Sequence, residues 1–161
     1  MVRPDTGRLG QVALCRGENT LARAVRAGIG STYSHMVIDV GDGQVASAQL
    51  GGLALRPAQD FPDAVWSRYD FDPWQAEGAA DYAAARVGTP YNLAAGALAL
   101  ITRTLQIPTP RTRRYAYYQC AQLAEDALSH GAGILVFPHG RTAGPATPAD
   151  FEDLFRRHGW L

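Results

Sequence analysis

The stretch SHMVIDVGDGQV, residues 34–45, decides the fold that this chain is expected to adopt. Its side chains alternate so that Met36, Ile38 and Val40 share one face, which is the pattern of a strand with one buried side. Gly-Asp-Gly at positions 41–43 is a signal for a tight hairpin turn, and a second strand-like run follows it. The stretch therefore predicts two antiparallel strands joined by a short turn.

The order of the remaining elements predicts the fold class. Strand signals dominate the chain up to residue 71, with one short helix among them, and helix signals follow Pro73. Antiparallel strands followed by helices are typical of the α+β class, here in one domain of residues 1–161. Strands are expected over residues 11–16, 31–40, 44–49, 53–56, 64–71 and 134–137, and helices over residues 21–27, 74–87, 93–105, 119–130 and 148–158.

Composition and charge argue against one class of function. The chain has 161 residues, 47% of them hydrophobic, which is enough for a buried core. Its formal net charge is zero, which argues against nucleic-acid binding driven by bulk electrostatics. All 15 basic residues are Arg, which we interpret as the coding bias of a GC-rich bacterial or phage genome.

No targeting or membrane-spanning segment is evident in the sequence. Residues 1–5 lack the apolar run of a signal peptide, so a soluble chain is expected, with its site of action and oligomeric state left open. The longest apolar run, residues 93–101, is too short to span a bilayer and predicts a buried helix. Two cysteines, Cys15 and Cys120, provide no disulfide framework.

Cys120 and His35 carry the candidate chemistry. Cys120 opens a predicted helix ahead of its apolar stripe, where the helix N-terminus stabilises a thiolate, and a nearby imidazole can take the thiol proton. A buried cysteine is also a common small hydrophobe, and a histidine on a strand is commonly structural, so both alternatives stay open. Cys15 lies mid-strand and is expected in the core. No metal-ligand spacing surrounds the other histidines, His130, His139 and His158.

Several segments resemble the NlpC-type papain-like cysteine peptidases. The hairpin of residues 34–45 looks like the histidine strand of that family, residues 88–92 resemble its segment leading toward the catalytic cysteine, and residues 120–123 are similar to the start of its cysteine helix. The helix start at residues 147–150 fits the way in which many members end. Here the histidine precedes the cysteine, so the chain resembles the circularly permuted branch, the YiiX-like group, over about residues 10–155.

The resemblance implies a permuted papain-like fold, in which an antiparallel sheet or small barrel packs against helices. It also implies a site that needs no metal or organic cofactor, with Cys120 as nucleophile and His35 as general base. A third polar residue, which orients the imidazole in the family, falls at Ser47, where relatives often have His or Glu. Gln49 lies on the same strand face and is an alternative, as is Asp39, which shares the face of His35.

The resemblance further implies a reaction, the hydrolysis of an amide, and a substrate, a peptide of the peptidoglycan stem. Permuted members also have relatives among the lecithin:retinol acyltransferase-like enzymes, so a lipid-directed acyltransferase or hydrolase is an alternative. That alternative predicts an apolar groove and membrane affinity, and no amphipathic basic helix is evident in the sequence. A non-catalytic binding module is the third possibility, favoured by the departure at Ser47.

Overall fold

A computed structural model describes residues 7–91, 97, 101, 105, 119–137 and 145–161. In this part of the chain the predicted α+β class is confirmed, as a five-strand antiparallel sheet with helices. The strands are β1 (Val12–Cys15), β2 (His35–Gly41), β3 (Gln44–Gln49), β4 (Gly52–Pro57) and β5 (Val65–Trp66); the helices are α1 (Thr20–Ile29), α2 (Pro73–Ala84), α3 (Cys120–Asp126) and α4 (Pro148–Arg157).

The sheet has the order β4-β3-β2-β1-β5, and the paired strands are antiparallel. β2 and β3 form the predicted hairpin, in which Val37 lies opposite Ser47. The turn closes because residues 41–43 all have positive φ, which is 55° even at Asp42. Two strands carry candidate site residues on the sheet: β2, with His35, is the central strand, and β3, with Ser47, lies between β2 and the edge strand β4.

The two faces of the sheet are covered differently. Met36, Ile38 and Val40 lie in the main core with residues of α2, α3 and α4, which confirms the predicted alternation. The opposite face carries a smaller cluster that includes Cys15, as expected for a core cysteine. Because β4 and β5 lie at opposite edges, the chain between them crosses this second face and covers it with Phe61 and Ala64.

The helix starts agree with the signals in the sequence. Asn19 caps α1, since its side-chain oxygen accepts a hydrogen bond from the N–H of Ala22 at 2.7 Å. α4 begins with a reciprocal pair, in which the Asp150 carboxylate accepts from the N–H of Thr147 at 2.8 Å and the Thr147 hydroxyl caps the helix. α1 is unusual because Ile29 is its one buried residue.

Two predicted strands are too long, because side chains take the backbone hydrogen bonds that a strand would use. The fifth strand was predicted over residues 64–71 and ends at Trp66; beyond it, the side chain of Gln11 bonds both the N–H and the carbonyl of Tyr69, at 3.1 and 2.7 Å. The second strand begins at His35 and not at residue 31, because the N–H of Thr32 donates to the Glu152 carboxylate at 2.8 Å.

Two further predictions have different outcomes. Residues 134–137 form no strand, because the N–H of Ile134 donates to the carbonyl of Leu128 at 2.8 Å and closes the wide turn Ala127–Gly131 that follows α3. The predicted helix 93–105 lies outside the described residues, except for positions 97, 101 and 105, which are helical. Within the described part of the chain, no helix has both the length and the apolar character needed to cross a membrane.

Candidate active site

His35 lies at the first position of β2 and is held through one ring nitrogen. Its Nε2 is 2.9 Å from the Ser47 hydroxyl on the neighbouring strand, and its ring stacks on Phe61 with the centroids 6.0 Å apart. Ser47 faces the same side of the sheet as His35 because it pairs with Val37, two residues along β2. These contacts define the plane of the imidazole and leave Nδ1 as its second nitrogen.

Cys120 lies where the sequence predicts it, at the first position of α3. The residue is buried, with 6% of its surface exposed, and the N–H groups of Met36, Ala121 and Cys120 itself face its sulfur. Met36 directly follows His35, so the sulfur reaches the strand end that carries the imidazole. The structure therefore brings the two predicted residues, which are 85 positions apart, to the same end of the sheet.

Burial sets the protonation of both groups. It raises the pKa of the Cys120 thiol to about 11, although the three backbone N–H groups at the sulfur lower it. Burial also lowers the pKa of His35 to about 4. Burial therefore favours the neutral form of both groups over a thiolate–imidazolium pair.

The three candidates for the third residue lie in different surroundings. Ser47 is buried and bonds the imidazole of His35. Gln49 is exposed at the end of β3 and lines the cleft described below. Asp39 accepts a hydrogen bond from the N–H of Gly41 at 2.8 Å, and it lies four residues from His35, or about 13 Å along a strand. Of the three residues, Ser47 is thus the one with a hydrogen bond to the ring.

A cleft of about 440 Å³ opens beside His35. One wall is the apolar side of α1, with Leu21, Ala22 and Val25, and the other includes Leu50 and Phe61. Leu21 and Leu50 are exposed at its two sides, by 54% and 59%. The remaining lining residues are Cys15, Gly17, Asn19, Ser34, His35, Ala48, Gln49, Gly51, Asp60, Asp63 and Tyr91.

Tyr91 connects the cleft with the cysteine. It lines the cleft, and its phenol lies close enough to Cys120 for a thiolate charge there to raise the pKa of Tyr91, after the larger effect of burial. The cleft that contains His35 therefore extends toward the sulfur. Cys120 is not itself among the residues that line it.

Sequence reasoning missed two buried side chains that surround the site. Gln119, the residue before Cys120, donates from Nε2 to the carbonyl of Ala146 at 2.5 Å. Glu152 on α4 bonds the segment that leads into His35. Both contacts join segments that are far apart in the sequence, and no local pattern of residue types indicates them.

The residues described here do not form a metal centre. No group of three or more His, Cys, Asp or Glu side chains in this part of the chain is arranged to hold a metal ion. His130 and His158 lie at the surface, and His139 is outside the described residues. Both cysteines are free thiols.

No protein-family model matches this chain, and no curated protein matches it. Among solved structures, the chain is similar to the crystal structure of the metalloprotein YiiX from Escherichia coli O157:H7, with a TM-score of 0.60. The two are 14% identical, over 80% of this chain and 68% of that chain. At this identity the likeness shows the fold alone, which is therefore of the YiiX kind.

Proposed function

We propose that this protein is a cysteine hydrolase that cleaves an amide through an acyl-enzyme on Cys120, with His35 as general base. One observation carries the proposal: the sulfur lies at the backbone of the strand end whose imidazole is held by Ser47. Papain-like chemistry requires a cysteine nucleophile, an imidazole base and a group that orients the imidazole, and these three residue types lie at this end of the sheet. The fold of the YiiX kind is compatible with it.

The reaction begins with a proton transfer. When Nε2 carries the ring proton and donates it to the Ser47 hydroxyl, Nδ1 is the basic nitrogen that accepts the Cys120 proton. Sγ forms a bond to the carbonyl carbon, the C–N bond breaks, and the amine leaves with the proton from His35. Water then attacks the thioester, gives a proton to His35, and releases the acid as the thiol is restored.

The backbone at the start of α3 supplies the oxyanion donors. The N–H groups of Cys120 and Ala121 face the sulfur, so they can also donate to the carbonyl oxygen that the sulfur attacks. Gln49 at the cleft wall contacts the substrate in this proposal.

The neutral resting pair determines when the proton moves. Forming the ion pair before substrate binds is unfavourable, since burial opposes the charged form of both residues. The transfer is therefore coupled to the attack on the carbonyl, when the charge passes to the oxyanion. Before substrate arrives, the thiol is expected to react slowly with alkylating agents.

The substrate that we propose is a peptide bond of the peptidoglycan stem, on the basis of the resemblance in the sequence. The test is digestion of purified cell walls by the intact protein, with release of peptide fragments measured by mass spectrometry. Cys120→Ala is expected to abolish release, whereas Ser129→Ala, a small change beyond the other end of α3, is expected to retain it. Equal release by the intact protein and Cys120→Ala would remove the proposal.

A lipid-directed acyl hydrolase or transferase is a second candidate, favoured by the wall of the cleft. α1 is amphipathic and basic, with Leu21 and Val25 toward the cleft and Arg23 and Arg26 in the same helix. The sequence-based statement that no such helix is evident is therefore wrong. With Ile29 as its one buried residue, α1 keeps most of its apolar side for the cleft.

Two measurements separate the candidates. Vesicle flotation detects membrane affinity, and a fluorescent phospholipid reports acyl release. Cys120-dependent loss of a phospholipid acyl chain, without peptide release from cell walls, would replace the first candidate with the second. A protein that shows neither activity and no Cys120-dependent reaction with p-nitrophenyl acetate would be the non-catalytic module.

The similarity to a metalloprotein raises the question of a metal step. The described residues offer no set of three His, Cys, Asp or Glu ligands in one place, so they do not fit a metal centre. We therefore route no step of the proposed reaction through a metal.

A further inference from the structure

Five residues connect the end of α1 to His35, and the last four of them are held by hydrogen bonds at both ends. We refer to residues 31–34 as the lead segment. At the end next to His35, the Ser34 hydroxyl donates to the carbonyl of Arg16 at 2.6 Å, and the Ser34 N–H donates to the carbonyl of Cys15 at 3.1 Å. At the end next to α1, the Ser31 hydroxyl accepts a hydrogen bond from the N–H of Tyr33 at 3.0 Å.

A buried carboxylate on α4, that of Glu152, holds the end of the lead segment that lies next to α1. Oε2 of Glu152 accepts from the Ser31 hydroxyl at 2.7 Å and from the N–H of Thr32 at 2.8 Å. Its Oε1 accepts from Arg156, one turn along α4, at 2.8 Å. Both carboxylate oxygens of Glu152 therefore accept hydrogen bonds, and the residue is only 7% exposed.

The same region of the chain also holds the cysteine. The carbonyl of Ala146, two residues before α4, accepts the bond from Gln119, which precedes Cys120. Glu152, four residues after the first residue of α4, bonds the segment before His35. Ala146, just before α4, bonds the residue before Cys120. Both attachments therefore hold segments of the chain that lead directly into a candidate catalytic residue.

We propose that Glu152 is a positioning residue, which acts through the lead segment to fix the placement of His35 against Cys120; this inference rests on the proposed function. Hydrogen bonds from Ser31, Arg156 and Thr32 outweigh burial and lower the pKa of Glu152 to about 2, so the carboxylate is the favoured form near pH 7. A general base that is misplaced by about 1 Å can cost up to a hundredfold in rate.

The test is the pre-steady-state acylation of Cys120 by p-nitrophenyl acetate, followed by release of p-nitrophenolate. The burst amplitude counts the folded, active molecules, whereas the rate constant reports the placement of the base. Glu152→Ala is expected to lower the rate constant roughly tenfold. Glu152→Gln is expected to restore most of it, because its amide oxygen can still accept from Ser31 and Thr32. Asp153→Ala, the matched change at the exposed neighbour on α4, is expected to have no effect.

Each outcome decides something. A purely structural Glu152 would lower the burst amplitude and the melting temperature but leave the rate constant at its wild-type value, and that result would overturn the inference. If Glu152→Ala does not fold, Ser31→Ala removes one of the two bonds, and it is expected to slow acylation by a smaller factor; an unchanged rate constant there would also overturn it. A wild-type burst that does not require Cys120 and His35 would overturn the proposed function, and the inference with it.

Discussion

Single residues decide how firmly the imidazole is oriented. Ser47 offers a neutral hydroxyl where a carboxylate would form a stronger, charge-assisted bond to His35. The stack on Phe61 adds a second restraint on the same ring. The orientation therefore depends on one hydrogen bond of ordinary strength and one ring contact, which makes each contribution measurable by substitution.

Removal of the Ser47 hydroxyl is expected to slow the chemical step and leave binding unchanged. In Ser47→Ala, Nε2 of His35 loses its partner, which is worth about 1 kcal/mol net, or roughly a five- to tenfold loss of kcat. The measurement is kcat and KM for p-nitrophenyl acetate, with Ser129→Ala as a serine change far from the site. A kcat equal to that of the wild type would show that Ser47 does not orient the base.

The acid limb of the pH–rate profile is expected to lie lower than for an ordinary histidine. His35 must be neutral to accept a proton, and burial lowers its pKa from 6.5 to about 4. The value of kcat/KM for p-nitrophenyl acetate is therefore expected to rise with pH through a midpoint near 4 and to be level at pH 6. A midpoint near 6.5 would mean that the ring is solvated or paired with a thiolate.

The sequence predicts the residues that local patterns mark, but not those that act at a distance. His35 and Cys120 follow from a strand period and a helix start, and Ser47 from counting through the hairpin. Gln119 and Glu152 give no such signal, because their partners lie 27 and about 120 residues away. Buried polar contacts of this kind are determined by tertiary packing alone.

Between elements, α2 and the turn after α3 make a close backbone contact. A Cβ placed on Gly131 would lie 2.4 Å from the carbonyl oxygen of Gly78, and one on Gly78 would lie 2.1 Å from that of Gly131. Both obstructing atoms belong to backbone, which cannot rotate away as a side chain does. The two glycines therefore let α2 and the turn come into backbone contact. Since the turn directly follows α3, this contact fixes the C-terminal end of α3 against α2.

Gly131→Ala is expected to destabilise the fold by roughly 1–3 kcal/mol, because the helix and the turn must separate. Urea unfolding followed by circular dichroism measures the change. Gly51→Ala is the control, since no atom lies within 4 Å of its Cβ and its φ is not positive. If the two variants unfold at the same urea concentration, the close contact contributes nothing to stability.

Elements were predictable where alternation or capping governs them. Residues 44–49 match β3 at both ends, and the helix start indicated at residues 147–150 begins α4. Boundaries fail where a distant side chain satisfies the backbone, as Gln11 does beyond β5 and Glu152 does before β2. A single sequence shows the strand propensity of such a segment but not the side chain that competes for its N–H groups.

For the whole molecule, two groups whose pKa values are lowered in the folded state, His35 and Glu152, make stability depend on pH in adjoining ranges. The folded state keeps His35 neutral down to about pH 4, whereas the unfolded chain takes up that proton near 6.5. Glu152 stays ionised down to about pH 2 when folded, against 4.5 when unfolded. In both ranges the unfolded state binds more protons, so stability falls as pH falls, by on the order of 3 kcal/mol for each group.

The two ranges can be separated by substitution. In Glu152→Gln, the decline in unfolding free energy from pH 6.5 to 4.5 is expected to remain, because His35 causes it, whereas the decline below pH 4.5 becomes shallower. In His35→Gln, the decline from pH 6.5 to 4.5 is expected to become shallower, whereas the decline below pH 4.5, which Glu152 causes, is expected to remain. Urea titrations between pH 3 and 8 measure both slopes, with Asp153→Asn as the control for loss of a carboxylate from α4. An unfolding free energy of the wild type that is level between pH 6.5 and 4.5 would contradict a His35 that stays neutral in the folded state, and with it the neutral pair on which the proposed mechanism depends.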